Sequence, residues 1–145
     1  MSEALVRYLH FLGIIVFASM LVAEHILAKG RLSSAEIRRL ALFDMVYGLS
    51  AIVVFGAGLT LWLWVGKPSG FYSGNPIFVA KVGAFILLGL LSIYPTTFFV
   101  RQRRLAAESV DVPKLLVWCV RLESLLLVII PLLAVLMARG IGLNR

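Results

Sequence analysis

Four long apolar stretches, parted by short polar ones, run the length of the chain. A helix that crosses a ~30 Å hydrocarbon core needs about 20 apolar residues. The pattern predicts such helices at about 6–28, 40–65, 79–100 and 114–138. The segment between the first two is basic, and within it Ser33-Ser34-Ala35-Glu36 reads as a helix start, a serine cap with Glu near the third position. Residues 66–78, GKPSGFYSGNPIF, are too rich in Gly, Pro and Ser to continue a helix. The third connection opens on Arg101, Arg103 and Arg104. Residues 1–5 and 139–145 read as tails, and no soluble domain fits between the spans. The expected fold is all-α: one membrane domain, a transmembrane four-helix bundle.

The first stretch, Arg7 to Lys29, holds both of the chain's histidines, His10 and His25, and also Glu24. At about 100° per residue, His10, Phe17, Leu21, Glu24 and Ala28 fall within roughly 40° of one direction, with His25 about 60° away. Lipid cannot solvate a polar stripe, so this face should be covered by the other three helices.

Composition narrows the class. The chain has 145 residues, 61% of them apolar, and a mean hydropathy of +1.01, which excludes an ordinary soluble domain. The first stretch is longer than a signal-peptide core and no A-x-A site follows it, so it reads as a retained helix. The single cysteine, Cys119, excludes a disulfide framework within the chain. A net charge of +7 would suggest nucleic acid in a soluble protein, but here position matters more than sum. Lys29, Arg31, Arg38 and Arg39 lie in the first connection, Arg101, Arg103 and Arg104 in the third, and only Lys67 in the second. By the positive-inside rule both basic connections face the cytoplasm, giving an N-out and C-out bundle. Trp62, Trp64, Phe71 and Tyr72 fit an aromatic belt at the outer interface. The basic clusters read as topology signals or lipid head-group contacts, so the expected surroundings are a lipid bilayer and no nucleic acid.

The ionisable residues then sort by depth. Toward the inner side lies a polar cluster of Glu24, His25, Asp44, Tyr47, Arg121 and Glu123, with Tyr94 at similar depth. Arg121 is placed to pair with Glu24 or Asp44. Glu123 sits about 200° round the helix from Arg121, so the two cannot share a partner face. One of them would look inward and the other toward a neighbouring subunit, or toward the interface by snorkelling; a homo-oligomer is expected because so small a bundle has few ways to bury both. The cluster reads either as an ion-pair network tying helices together or as a proton path or substrate pocket. His25, at a helix end, reads as an interfacial hydrogen-bonder. Toward the outer side lie His10 and Lys81. A helix-borne histidine in a four-helix bundle is a usual ligand of haem iron. A buried lysine serves as a second ligand or holds a carboxylate. The plain alternatives are an interfacial polar histidine and a snorkelling lysine. Zinc lacks third and fourth ligands at that depth. Gly48, Gly56, Gly58, Gly83 and Gly89 read as close-approach positions. Pro95, followed by Thr96 and Thr97, and Pro131 read as points where a helix loosens.

The whole pattern resembles a bacterial family of small four-span membrane proteins labelled as domain of unknown function 2214, a label that carries no activity. Two short motifs are similar to the membrane-embedded bacterial protoporphyrinogen oxidase family HemJ. Arg7-Tyr8-Leu9-His10 matches an early helix that starts K-A-L-H. Phe78-Val79-Ala80-Lys81-Val82, on a stretch ending Arg101-Gln102-Arg103-Arg104, matches a later W-x-x-K-L. The chain departs from that family where its second histidine comes early, at His25, where Phe78 replaces Trp, and where a Leu-Pro-Arg-Leu run is missing. The resemblance implies haem and porphyrin handling by His10 and Lys81, and a bacterial inner membrane location.

The resulting expectation is a haem b-binding inner-membrane redox protein acting as a haem-dependent oxidoreductase on a small membrane-soluble substrate. In it His10 ligates the iron and Lys81 serves as second ligand or anchor. The alternatives are a small oligomeric transporter or channel built on the inner Glu, Asp and Arg cluster, or an accessory subunit of a larger membrane complex.

Overall fold

A computed structural model describes residues 2–142. Met1 and residues 143–145, the end of the expected C-terminal tail, lie outside the described residues. Among the described residues four helices are long and apolar enough to cross a membrane: α1 (Glu3–Leu27), α2 (Ser34–Thr60, its span running on to Val65), α4 (Pro76–Leu105) and α5 (Lys114–Ala138). A five-residue helix, α3 (Ser69–Ser73), interrupts the 66–78 segment. The long helices form a ring, α1 against α2, α2 against α4, α4 against α5, and α5 back against α1.

Three helices start before their expected bounds for identifiable reasons, and α5 keeps the expected 114–138. Ser2 caps α1, its hydroxyl accepting from the Leu5 N–H, so the expected N-terminal tail is helical from Glu3. Ser33 and Glu36 form the full capping box, and α2 starts six residues before the apolar run at Leu40. Asn75 caps α4 through its side-chain oxygen, with Pro76 in the first helical position, where a missing N–H costs nothing. Helix α4 runs on through Pro95 to Leu105, and α5 runs on through Pro131. At its far end α2 widens into a π-turn, Leu61–Val65, that stops at Gly66. A side chain at Gly66 would collide with the Leu61 carbonyl oxygen.

The two basic connections are not free loops. Residues Arg31–Ser33 (β1) pair antiparallel with Ser109–Asp111 (β2), in the register Leu32 opposite Val110. So short a ribbon is marginal alone; here Leu32 is buried in the core and the Arg31 guanidinium donates to the Ser109 hydroxyl. The ribbon ties the end of α1 and start of α2 to the end of α4 and start of α5. All the basic connections therefore share one end of the bundle, called the basic end. The 66–78 segment marks the other, the aromatic end. There Trp62 packs edge-on to Phe78, Lys67 covers the Phe71 ring, and Trp64 is exposed.

The polar stripe of α1 faces inward as expected. Phe17, Leu21, Glu24 and Ala28 are buried, and His10 is half-buried. Their opposite faces present apolar side chains outward; Ile52 is 68% and Val128 71% exposed. In lipid such a surface is solvated, and helix association depends on packing and hydrogen bonds instead. Close approach occurs at Gly13, where a Cβ would stand 2.9 Å from a Val54 methyl. Of the glycines expected to do this, Gly48, Gly56, Gly83 and Gly89 meet nothing within 4 Å, and only Gly58 has a neighbour, the His10 ring. Periodicity alone does not tell a glycine facing a helix from one facing lipid.

Candidate functional site

Inside the basic end, four helices each contribute one polar side chain. Glu24 comes from the last turn of α1, Asp44 from α2, Thr96 from α4 and Glu123 from α5. Asp44 follows Arg39 by five residues, and Thr96 precedes Arg101 by five. At ~1.5 Å rise per residue both lie about 7–8 Å deeper than the arginine level. Glu24 and Glu123 are each 1% exposed, and Asp44 is 3%. The sequence puts them there because each lies on the apolar face of its helix, among Leu21, Leu40, Ala41, Leu116 and Val120.

Two neutral hydroxyls answer the three acids. The Tyr47 O–H donates to Glu123 Oε2 at 2.8 Å, and the Thr96 O–H donates to Asp44 Oδ1 at 2.8 Å. Glu24 Oε1 and Glu123 Oε1 are buried with no hydrogen-bond partner. The three carboxyls lie within electrostatic reach of one another. No cation of the described residues enters the site. Among the described residues the only ion pair is Glu3 with Arg7, at the opposite end of α1.

Arg121, expected to pair with Glu24 or Asp44, does neither. It is exposed, its guanidinium carbon 5.5 Å from the Trp118 ring centre. The 200° separation from Glu123 is what decides this: α5 turns Glu123 in and Arg121 out. Glu123 is covered within the chain by Tyr47, so burying it needs no neighbouring subunit. That removes the sequence-based reason to expect a homo-oligomer. His25 also stands apart from the cluster, exposed, with Nδ1 2.9 Å from the Ser124 hydroxyl. The interfacial hydrogen bond expected of it is present. Tyr94 packs against the core, and its carbonyl accepts from Thr97.

An aromatic stack closes the site toward the aromatic end. The Phe17 and Tyr47 rings lie 4.5 Å apart and nearly parallel, and Phe85 and Phe55 extend the stack. Such contacts contribute about 0.5–1.5 kcal/mol each beyond the area they bury. Among the described residues no three His, Cys, Asp or Glu side chains converge closely enough to hold a metal ion. What the arrangement offers is proton chemistry. An ionised carboxylate only accepts hydrogen bonds, whereas a protonated one also donates. Protons on this trio would supply the donors that its orphaned oxygens lack.

Beyond the stack lie His10 and Lys81. The Val54 carbonyl accepts from His10 Nδ1 at 2.9 Å, which fixes the tautomer and leaves Nε2 free. A metal-ligating histidine has this arrangement, its other nitrogen donating to a backbone carbonyl. A haem iron at this position would be held by His10, through the ring nitrogen not bonded to Val54. Lys81 is half-buried, its ammonium 5.0 Å from the Phe78 ring centre. Both described clefts lie elsewhere, toward the basic end.

Thr96 and Asn75 escape a sequence reading that looks for charge. Thr96 is visible there only as part of the Pro95-Thr96-Thr97 run. Asn75 is fully buried, and its Nδ2 donates to the Ile141 carbonyl, tying the end of the chain to the start of α4. The signal for Asn75 is present in the sequence, an Asn directly before a proline at a helix start.

No curated protein and no solved structure matches the chain. The likeness to the protoporphyrinogen oxidase family thus rests on its two short motifs. A family model described as predicted membrane protein, DUF2214, matches residues 2–142, and the chain belongs to that family of multi-pass membrane proteins.

Proposed function

We propose that this is a small membrane transporter of protons, in which Glu24, Asp44 and Glu123 hold protons and exchange them with one side of the membrane. The single observation that supports this is the pair of orphaned carboxyl oxygens, on Glu24 and Glu123, buried beside a third acid with no cation. Three charges of one sign in so dry a site would cost many kcal/mol, so the stable form carries protons. Glu24, nearest the basic end, is the exchange point. Asp44 and Glu123 are the deeper acceptors, and the Tyr47 hydroxyl is the last member before the aromatic stack. Passage of a proton across the membrane then requires the stack to open. The surplus of Lys and Arg on the paired connections orients the basic end toward the cytoplasm of a bacterial inner membrane, with both termini outward.

The test uses proteoliposomes loaded with a pH-sensitive dye. Under an imposed potential the wild type should acidify faster than protein-free vesicles, and Glu24→Gln and Glu123→Gln should fall to the protein-free rate. A wild-type rate equal to that of protein-free vesicles contradicts the reading.

A second reading keeps a haem b on His10, favoured by the His10 to Val54 hydrogen bond. A haem there would supply one-electron chemistry on the far side of the stack, with Lys81 holding a propionate. His10→Ala should abolish a Soret band in protein purified from haem-supplied cells, and His25→Ala should leave it. Equal loss in both variants, or no band in the wild type, removes this reading.

A further inference from the structure

The cation that the acids do not use has its own surroundings. Arg121 and Lys29 line a cleft of about 200 Å³ between the end of α1 and the first half of α5. His25 forms a third polar wall, and Ile26, Ala28, Val117 and Val120 supply the apolar ones. No carboxylate pairs with Lys29 or Arg121 among the described residues. The Ser124 hydroxyl donates to the Val120 carbonyl, so His25 Nδ1 is the donor in the bond between them, and the ring is held at the cleft wall. Glu24 and Glu123, the nearest acids in sequence, are buried and do not line the cleft; Glu123 faces the opposite side of α5 from Arg121. The cleft thus presents two unpaired cations and no anion.

We infer that this cleft binds a phosphate group, held by Arg121 and Lys29. A guanidinium matches two phosphate oxygens with parallel hydrogen bonds, and a lysine adds a point charge. The volume admits a phosphate group with room to spare. Deeper along the same faces of the two helices the surface is apolar, with Val22 49% and Leu125 56% exposed, so a phosphodiester with acyl chains fits as well as a free phosphate. Lys29 lies just past the end of α1, and Arg121 lies about 10 Å along α5 from its start, so the cleft runs inward from the basic end. This inference is independent of the proton reading, since no carboxyl of the network takes part.

The experiment uses the full chain in mild detergent, with two probes. The first is phosphatidylglycerol in mixed micelles, counted by native mass spectrometry against phosphatidylcholine. The second is inorganic phosphate, read as a shift in thermal unfolding against chloride at equal ionic strength. Retention of phosphatidylglycerol, weakened about tenfold or more in Arg121→Gln as for one lost charge-assisted hydrogen bond, supports a lipid-bound site. A thermal shift given by phosphate alone, lost in Arg121→Gln, supports a soluble phosphate ligand. Arg121→Lys should bind with intermediate strength, and Arg139→Gln, at the opposite end, should bind as wild type. Arg121 is exposed, so its variants keep the fold, and Lys29→Gln gives a second check. Equal binding by wild type and both the Arg121→Gln and Lys29→Gln variants, or no response to either probe, overturns the inference.

Discussion

The two ends of the bundle treat polar side chains in opposite ways. At the aromatic end each is answered singly and locally. His10 has the Val54 carbonyl, Lys81 has the Phe78 ring, and Asn75 has the Ile141 carbonyl and its own helix start. Removing one leaves the others as they are. At the basic end the acids are collective. Three carboxyls share one dry volume with two hydroxyl donors, and two of their oxygens have no partner. On the proton reading their state is set jointly, by how many protons the group holds. The difference teaches that burial of a polar residue is a structural matter when its partner is fixed, and a functional matter when its partner is a proton.

The partition between the ends is where that contrast breaks most readily. Phe17→Ala removes the ring stacked on Tyr47 and leaves a cavity against Phe85. A loss of about 3–5 kcal/mol is expected in reversible unfolding in mixed micelles. Proton entry into dye-loaded vesicles should also rise, because water reaches both ends. Asn75→Ala comes next, at about 1–2 kcal/mol for a lost cap and a lost buried hydrogen bond. Hydrogen exchange should quicken at the start of α4 while α2 near Asp44 stays protected. Comparable quickening at both ends would contradict the local character assigned to the aromatic end.

Within the basic end the effects are smaller and spread further. Tyr47→Phe should cost about 1 kcal/mol, and the carboxyl infrared bands of more than one acid should shift. A shift confined to one band would mean that the acids are independent. Arg121→Gln should change stability by less than about 0.5 kcal/mol, since the side chain is exposed and makes no ion pair. A loss several times larger would restore Arg121 to the cluster.

The four spans are legible in the sequence because lipid demands long uniform apolar runs, and the inward stripe of α1 is legible because a helix repeats every 3.6 residues. The joining of the basic connections is not legible. The Arg31–Ser33 and Ser109–Asp111 strands are three residues each, far apart in the chain, and neither alternates clearly. Glu24, Asp44 and Glu123 stand out as charges in apolar runs. That no cation joins them is invisible, because it depends on which way α5 is turned, and a rotation exchanges Arg121 for Glu123. Thr96 is missed for the reason that makes it useful: a hydroxyl is cheap in a membrane helix and carries no signal until an acid is found opposite.

The most direct measurement is the infrared spectrum of the protein in lipid at neutral pH, in the region where protonated carboxylic acids absorb. Protonated-acid bands should be present, sensitive to deuterium, and reduced stepwise in Glu24→Gln, Asp44→Asn and Glu123→Gln. Absence of any such band in the wild type would mean that the three acids are ionised, and the proton-holding site would not exist.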